Sequence, residues 1–266
     1  FKAHGGLWIP CAGSVTPWMT HLGAEEYEPD AARFDAAANS AAAVDSSITA
    51  FSRYFGTYAN AATFTPVQAK AAGFYPYAYG YTWEVMIDRA GVGTPVKHYA
   101  MGRLAVELAY VMPDHKTAYI TDDGTNVVFA KFVADKPGDL SSGELFCARF
   151  TQTSSAGSAA ADFQLSVAWV SMGKANDAEL RSKVQSTLFT DIFETETPQG
   201  DGSCATAGYT AINSGDQGNQ CLKLKSGMEK LASRFETRRY AAMLGCTAEG
   251  RKWEGITFDP TTRKLY

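Results

Sequence analysis

Carboxylates stand inside apolar segments of this 266-residue sequence or at their ends. Glu25 and Glu26 follow a Thr-Pro-Trp loop. Glu84 lies in WEVMID (83–88), Glu107 interrupts RLAVELAY (103–110), Asp122 and Asp123 close YITDDG (119–124), and Glu254 sits in KWEGI (252–256). An ionised carboxylate inside an apolar strand costs several kcal/mol to bury unless a cation or strong donors compensate. Several that converge suit a hard multivalent cation such as Ca²⁺. A Cys thiolate beside them suits a softer or trivalent transition metal, and Cys11 stands in the loop just before Glu25 and Glu26. Each residue also has a plainer reading. The Glu pair can be a solvated loop, the Asp pair ordinary hairpin-turn residues, Glu107 an outward position on an edge strand, and Cys11 a small buried hydrophobe.

Other chemistries lack their signatures. There is no nucleotide-binding glycine fingerprint, Walker loop, HExxH or GxSxG, and His4, His21, His98 and His115 are isolated from one another. A net charge of −4 argues against a duplex nucleic-acid partner, and no run of 18 apolar residues is present to span a membrane. Five cysteines leave at least one without an intrachain partner. Cys204 and Cys221 bracket a polar loop that would gain from a covalent tie, which fits an oxidising compartment, whereas Cys11 stands apart in its functional-looking loop.

The elements that must position these residues are mainly strands. Residues 105–112, 117–121, 126–133, 143–150 and 164–172 are short apolar and aromatic runs separated by turn residues. That spacing predicts an all-β sandwich, barrel or propeller. VMPDHKTAYI (111–120) and TFDPTTRKLY (257–266) share a scheme of apolar pair, Pro/Asp turn, basic residue and Tyr, as propeller hairpins do. An alanine-rich excursion at 31–50, helices at 176–193 and 228–244, and a polar loop at 198–220 read as insertions, with Gly245 ending the last helix. The start at Phe1 and the strand-like end at Tyr266 read as part of a longer chain, so the absence of a leader says nothing about export.

Three segments carry a resemblance. CAGSVTPWMTHLGAEE (11–26) resembles the metal-binding loop of the PhoX-type alkaline phosphatases, in which a Cys precedes a Val-Thr-Pro-Trp stretch closed by a Glu pair. YITDDGTNVVFAKFVAD (119–135) resembles that family's acidic strand end, and GCTAEGRKWEGITFDP (245–260) its Glu-Gly loop after a helix. The resemblance implies a secreted or periplasmic six-bladed propeller, incomplete here. Residues 1–266 would form part of its single domain, with inserted segments near 31–62 and 174–245. It implies hydrolysis of small phosphate monoesters with Fe³⁺ and Ca²⁺. Cys11 would bind iron, and Glu25, Glu26 and Glu254 would hold calcium or bridge metals. Glu84, Glu107, Asp122 and Asp123 would be further ligands, and Lys252 with Arg251 would meet the phosphoryl group. Where the family has His before the strand glutamate and Arg two before the loop glutamate, this chain has Val106 and Lys252. These differences keep open an alternative, a metal-holding extracellular scaffold that binds other chains; a third reading, which a calcium-only site would fit, is a propeller hydrolase of another class such as a lactonase.

Overall fold

The computed structural model describes all residues except 37–39, 41–43, 45 and 55–63. Strands β1 (Pro10–Val15), β2 (His21–Glu25), β3 (Trp83–Ile87) and β4 (Gly93–Lys97) form an antiparallel sheet in chain order. A five-stranded antiparallel sheet follows. It contains β5 (Val106–Val111), β6 (Thr117–Asp122), β8 (Phe129–Lys136), β9 (Asp139–Gln152) and β10 (Leu165–Asn176). Between β6 and β8 in the chain, β7 (Thr125–Val127) leaves this sheet to pair with β14 (Gly250–Arg251). β11 (Phe193–Glu196), β13 (Asn219–Leu224) and β12 (Thr210–Asn213) make a third sheet, and β15 (Phe258–Asp259) pairs with β16 (Lys264–Leu265).

Period-2 alternation drives the large sheet. Along β8, Ala130, Phe132 and Ala134 are buried while Phe129, Lys131 and Val133 are half-exposed. Burying a side chain such as Phe132 contributes about 2–3 kcal/mol. One core runs from Leu22 through Val106, Ile120 and Phe132 to Phe235, so it joins both larger sheets to the C-terminal helices. A second, aromatic core gathers Trp8, Phe34, Phe74 and Tyr79.

The chain is mostly β-sheet rather than all-β, and among the described residues no sheet closes on itself. Short helices supply the rest: α1 (Ala31–Ala36), α2 (Ser46–Tyr54), α3 (Pro66–Ala71), α4 (Asp177–Arg181), α5 (Phe189–Ile192), α6 (Glu229–Phe235) and α7 (Thr237–Met243). Of the expected insertion at 31–62, residues 37–39, 41–43, 45 and 55–62 lie outside the described ones. The helix expected over 176–193 is two short turns instead. Between them Ser182 and Ser186 bond their hydroxyls to the carbonyls of Glu179 and Lys183, competing with helix propagation. The 228–244 helix divides at Glu236, whose carboxylate accepts from Tyr77 at 2.8 Å and Arg239 at 2.6 Å. Gly245 does follow α7, with φ +72°.

The polar stretch at 198–220 is not simply a loop, since it contributes β12 to a sheet. Cys204–Cys221 is disulfide-bonded, as is Cys147–Cys246, and Cys11 is free. Both repeated segments are hairpins with Asp-capped turns. Asp114 accepts from the amides of Lys116 and Thr117, and Asp259 from the amide of Thr261 and the hydroxyl of Thr262.

Candidate metal centre

Cys11 and Glu107 both lie at breaks in strand register. The β1–β2 pairing shifts between Pro10 and Gly13, and the β5–β6 pairing shifts between Val106 and Ala109. Such bulges re-aim a side chain out of the regular pleat. At the second, the Thr121 hydroxyl accepts from the Leu108 amide at 3.0 Å and donates to the Leu108 carbonyl at 3.1 Å, replacing ladder bonds. β1 is tied to β5 by the Ser14 hydroxyl on the Ala109 carbonyl, 2.7 Å. Glu26, one residue beyond β2, is fixed by its amide on the Ile9 carbonyl at 3.0 Å.

The result is a convergence of thiol and carboxylates. Cys11 Sγ donates to Glu107 Oε2 at 3.1 Å, and ligand atoms of Cys11, Glu26 and Glu107 all lie within 4.8 Å of one another. Loss of hydration, then Glu107 and Glu26, push the Cys11 thiol up to about 12 even though the residue is exposed. Burial likewise raises the Glu26 carboxyl, against hydrogen bonds from Cys11 and Tyr27. Val106, beside Glu107 in β5, is fully buried in the core.

A second group adjoins it. The Tyr27 hydroxyl donates to Asp123 Oδ2 at 2.8 Å, and Lys252 Nζ donates to both Asp123 oxygens at 3.1 Å. Burial works to raise Asp123, but Tyr27 and Lys252 outweigh it and hold the carboxyl below its usual range. Asp123, followed by Glu26, drives the Tyr27 hydroxyl far above its ordinary value. Lys252 has a left-handed backbone, φ +52°, and lies 3.7 Å from the exposed Glu254. Tyr27, at φ +51°, is a functional candidate that the sequence reading missed; its only signal is its place directly after the Glu pair.

Four expected residues do not join the cluster. Glu25, the last residue of β2, is fully buried and accepts from the amides of Trp8, Gly80 and Tyr81 and from Lys97 Nζ, 2.8 Å away. Asp122 accepts from the amides of Ala105 and Val128 and from the Arg238 guanidinium, which also binds Glu28 at 2.6 Å. Glu84 accepts from Trp18 Nε1, the Thr20 hydroxyl and His98 Nε2. Each of these carboxylates has a basic side chain of the protein as its partner: Lys97, Arg238 and His98 respectively. Arg251 is exposed in β14, with no side-chain hydrogen bond or ion pair to the cluster.

The Glu84 site makes its own prediction. His98 is buried, and its other nitrogen lies 3.1 Å from Asp177. Burial lowers its pKa, yet the bonds to Asp177 and Glu84 outweigh this and raise it to about 9. Burial dominates at Asp177 and raises that carboxyl, which takes back part of the gain. A folded-state pKa raised from 6.5 stabilises fully below 6.5 and is lost as pH climbs through 9. The full shift corresponds to about 3 kcal/mol. Melting temperature will therefore fall between pH 6.5 and 9, and His98→Gln will flatten that part of the curve. An unchanged slope in His98→Gln refutes the assignment.

The family model described as alkaline phosphatase PhoX matches residues 1–266. The chain belongs to this family. Among solved structures, Pseudomonas fluorescens PhoX in complex with vanadate, a transition state analogue, matches with TM-score 0.48 and 19% identity over 98% of this chain. The match covers 39% of that structure's chain, so this chain spans well under half its length. No curated protein matches. No helix among the described residues is long and apolar enough to cross a membrane.

The donor set fits metal ions. No ammonium or guanidinium among the described residues bonds the carboxylates of Glu26 or Glu107, in contrast to Glu25, Glu84 and Asp122, each of which has a cationic partner. A thiolate with two carboxylates suits a trivalent transition metal, and Glu26 with the adjoining Asp123 suits an oxygen-liking ion such as Ca²⁺. The other grouping of this kind among the described residues, Glu196 with Cys204 and Cys221, has both sulfurs consumed by a disulfide.

Proposed function

We propose that this chain is part of a secreted or periplasmic phosphomonoesterase that works with Fe³⁺ and Ca²⁺, built on a six-bladed β-propeller. Residues 1–266 lie within one such domain, with inserted segments near 31–62 and 174–245. The observation that carries this reading is the meeting of Cys11, Glu26 and Glu107 within 4.8 Å, from chain positions up to 96 residues apart. Membership of the alkaline phosphatase PhoX family supports the reaction class.

A phosphate monoester dianion entering this acidic cluster needs compensating positive charge. Bound metal ions supply Lewis acidity toward the phosphoryl oxygens. Cys11 and Glu107 hold the iron side, and Glu26, with Asp123 and Glu254, the calcium side. Tyr27 orients Asp123. Lys252, whose side chain is 57% exposed, carries an ammonium that swings from Asp123 to the incoming phosphoryl group and neutralises charge developing there. As a point charge rather than a bidentate fork, it binds phosphate less tightly than an arginine would. Arg251, next to it and exposed, adds long-range attraction.

The thiolate in the donor set favours this reading over a calcium-only hydrolase or scaffold, since Ca²⁺ takes oxygen ligands. The full-length, metal-loaded protein is expected to hydrolyse p-nitrophenyl phosphate, and a calcium chelator is expected to abolish the activity until Ca²⁺ is restored. No hydrolysis by the loaded protein would falsify the proposal.

A further inference from the structure

A cavity of about 310 Å³ lies beside Asp177, the residue that His98 joins to Glu84. His4, Val96, Tyr99, Ala178 and Arg181 line it with Asp177, and none of these belongs to the metal cluster. Two short pieces of chain build the wall. Tyr99 opens a single turn, Tyr99–Met101, just after β4, and Asp177 and Arg181 are the first and last residues of α4. Residues four apart share a helix face. Asp177 accepts from the Ala100 amide at 2.7 Å, which fastens that face beside Tyr99.

Two groups on this wall are uncommitted. Tyr99 is 2% exposed, and its hydroxyl makes no hydrogen bond among the described residues. It is not sealed, for the closed-off side-chain polar atoms without a partner among the described residues are His4 Nδ1, Thr82 Oγ1, Ser214 Oγ and Trp253 Nε1. The hydroxyl therefore meets the cavity that Tyr99 lines. A tyrosine hydroxyl so deep in a protein usually finds a partner. The exposed Arg181 spends one guanidinium bond on the Ala3 carbonyl, at 3.2 Å, and forms no ion pair among the described residues. The other ionised groups on the wall, Lys97 and Asp177, have partners in Glu25 and His98. Burial first, then Arg181 and Lys97, hold the His4 imidazole below its ordinary pKa, so it adds no charge at pH 7 and above.

Two donors, one of them charged, suit an oxyanion. Asp177 stands on the same wall and shares His98 with Glu84, which opposes a doubly charged guest. One negative charge fits best. Val96 and Ala178 supply apolar surface for the body of the guest. At roughly 30 Å³ per water-sized group, the space takes about ten such groups, enough for a ring that bears a carboxylate. We propose that this cavity binds a small organic monocarboxylate, held by the Arg181 guanidinium and the Tyr99 hydroxyl.

Calorimetry with sodium benzoate on the full-length, metal-loaded protein at pH 8 tests the site. Wild type is expected to bind benzoate saturably. Arg181→Gln should weaken binding tenfold or more, the loss of a bond to a charged group, and Tyr99→Phe about fivefold, the loss of a neutral one. Both variants should fold, since Arg181 is exposed and Tyr99→Phe keeps its ring against Tyr81. Benzyl alcohol, which lacks the charge, should bind at least tenfold more weakly than benzoate. Inorganic phosphate, mostly doubly charged at this pH, should not displace benzoate at equal concentration. Benzoate binding that survives both substitutions, as it would if the anion sat on the metal ions, overturns the site. So does the absence of saturable binding by wild type up to about 10 mM benzoate. Displacement by equal phosphate overturns the carboxylate class.

Discussion

Cys11→Ser will lower turnover of p-nitrophenyl phosphate by about a hundredfold or more and strip the protein of iron while leaving its fold intact. The size follows from position. Changing groups that merely support metal ligands already costs 10–100-fold, and Cys11 supplies the sulfur itself. The fold survives because Cys11 is exposed, forms no disulfide, and bonds only the two cluster carboxylates, Glu107 and Glu26. Surface substitutions of that kind change stability by about 0.5 kcal/mol or less. Three measurements on one preparation decide the matter: kcat, iron content by mass spectrometry and the thermal melt. Full activity with iron retained sinks the assignment of Cys11. Activity retained with calcium alone turns the case toward a calcium-only hydrolase.

The sequence showed the parts of this site more readily than their roles. Cys11 stood out because its spacing to the Glu pair resembles a known loop, and that motif did bring thiol and carboxylate together. The doubled acids were harder. In Glu25-Glu26 and in Asp122-Asp123, successive residues point to opposite sides of an extended chain. In both pairs the first acid turns inward to a protein cation, Lys97 or Arg238, and the second turns to the site. Composition cannot say which does which. The answer depends on Lys97, 72 positions after Glu25, and on Arg238, 116 positions after Asp122. The surroundings of Glu84 were hidden for the same reason, since His98 and Asp177 are assembled around it only by the fold. Strand positions were legible from alternation, but the bulges that aim Cys11 and Glu107 were not, because they arise from pairing rather than from local sequence. The long-helix expectation failed where serine hydroxyls and Glu236 found better partners than the helix could give.

The neighbouring pair Glu25 and Glu26 gives the sharpest test of that division. Glu25→Ala will destabilise the protein by about 3–5 kcal/mol, because it leaves Lys97 charged and alone in a dry interior. Lys97 has no exposed side-chain surface, and burial already pulls its pKa down, with Glu25 as the group that opposes this. Its remaining partners are the Ala78 carbonyl at 2.9 Å and the face of Tyr79, 4.6 Å from the ring centre. The amides of Trp8, Gly80 and Tyr81 also lose their acceptor. At 2–4 °C per kcal/mol for a domain of this size, the melt should fall by roughly 10 °C. The double variant Glu25→Leu with Lys97→Met should recover most of this loss, since a buried pair replaced by apolar groups is often neutral. Glu26→Gln will behave in the opposite way. It removes one carboxylate charge from the Cys11 cluster, so metal content and turnover fall while the melt of the metal-free protein stays within about 1 kcal/mol of wild type. Melts taken without metal, set beside metal analysis of the same variants, separate the two glutamates. If Glu25→Ala keeps the melt and loses metal, while Glu26→Gln does the reverse, the two roles assigned here are exchanged.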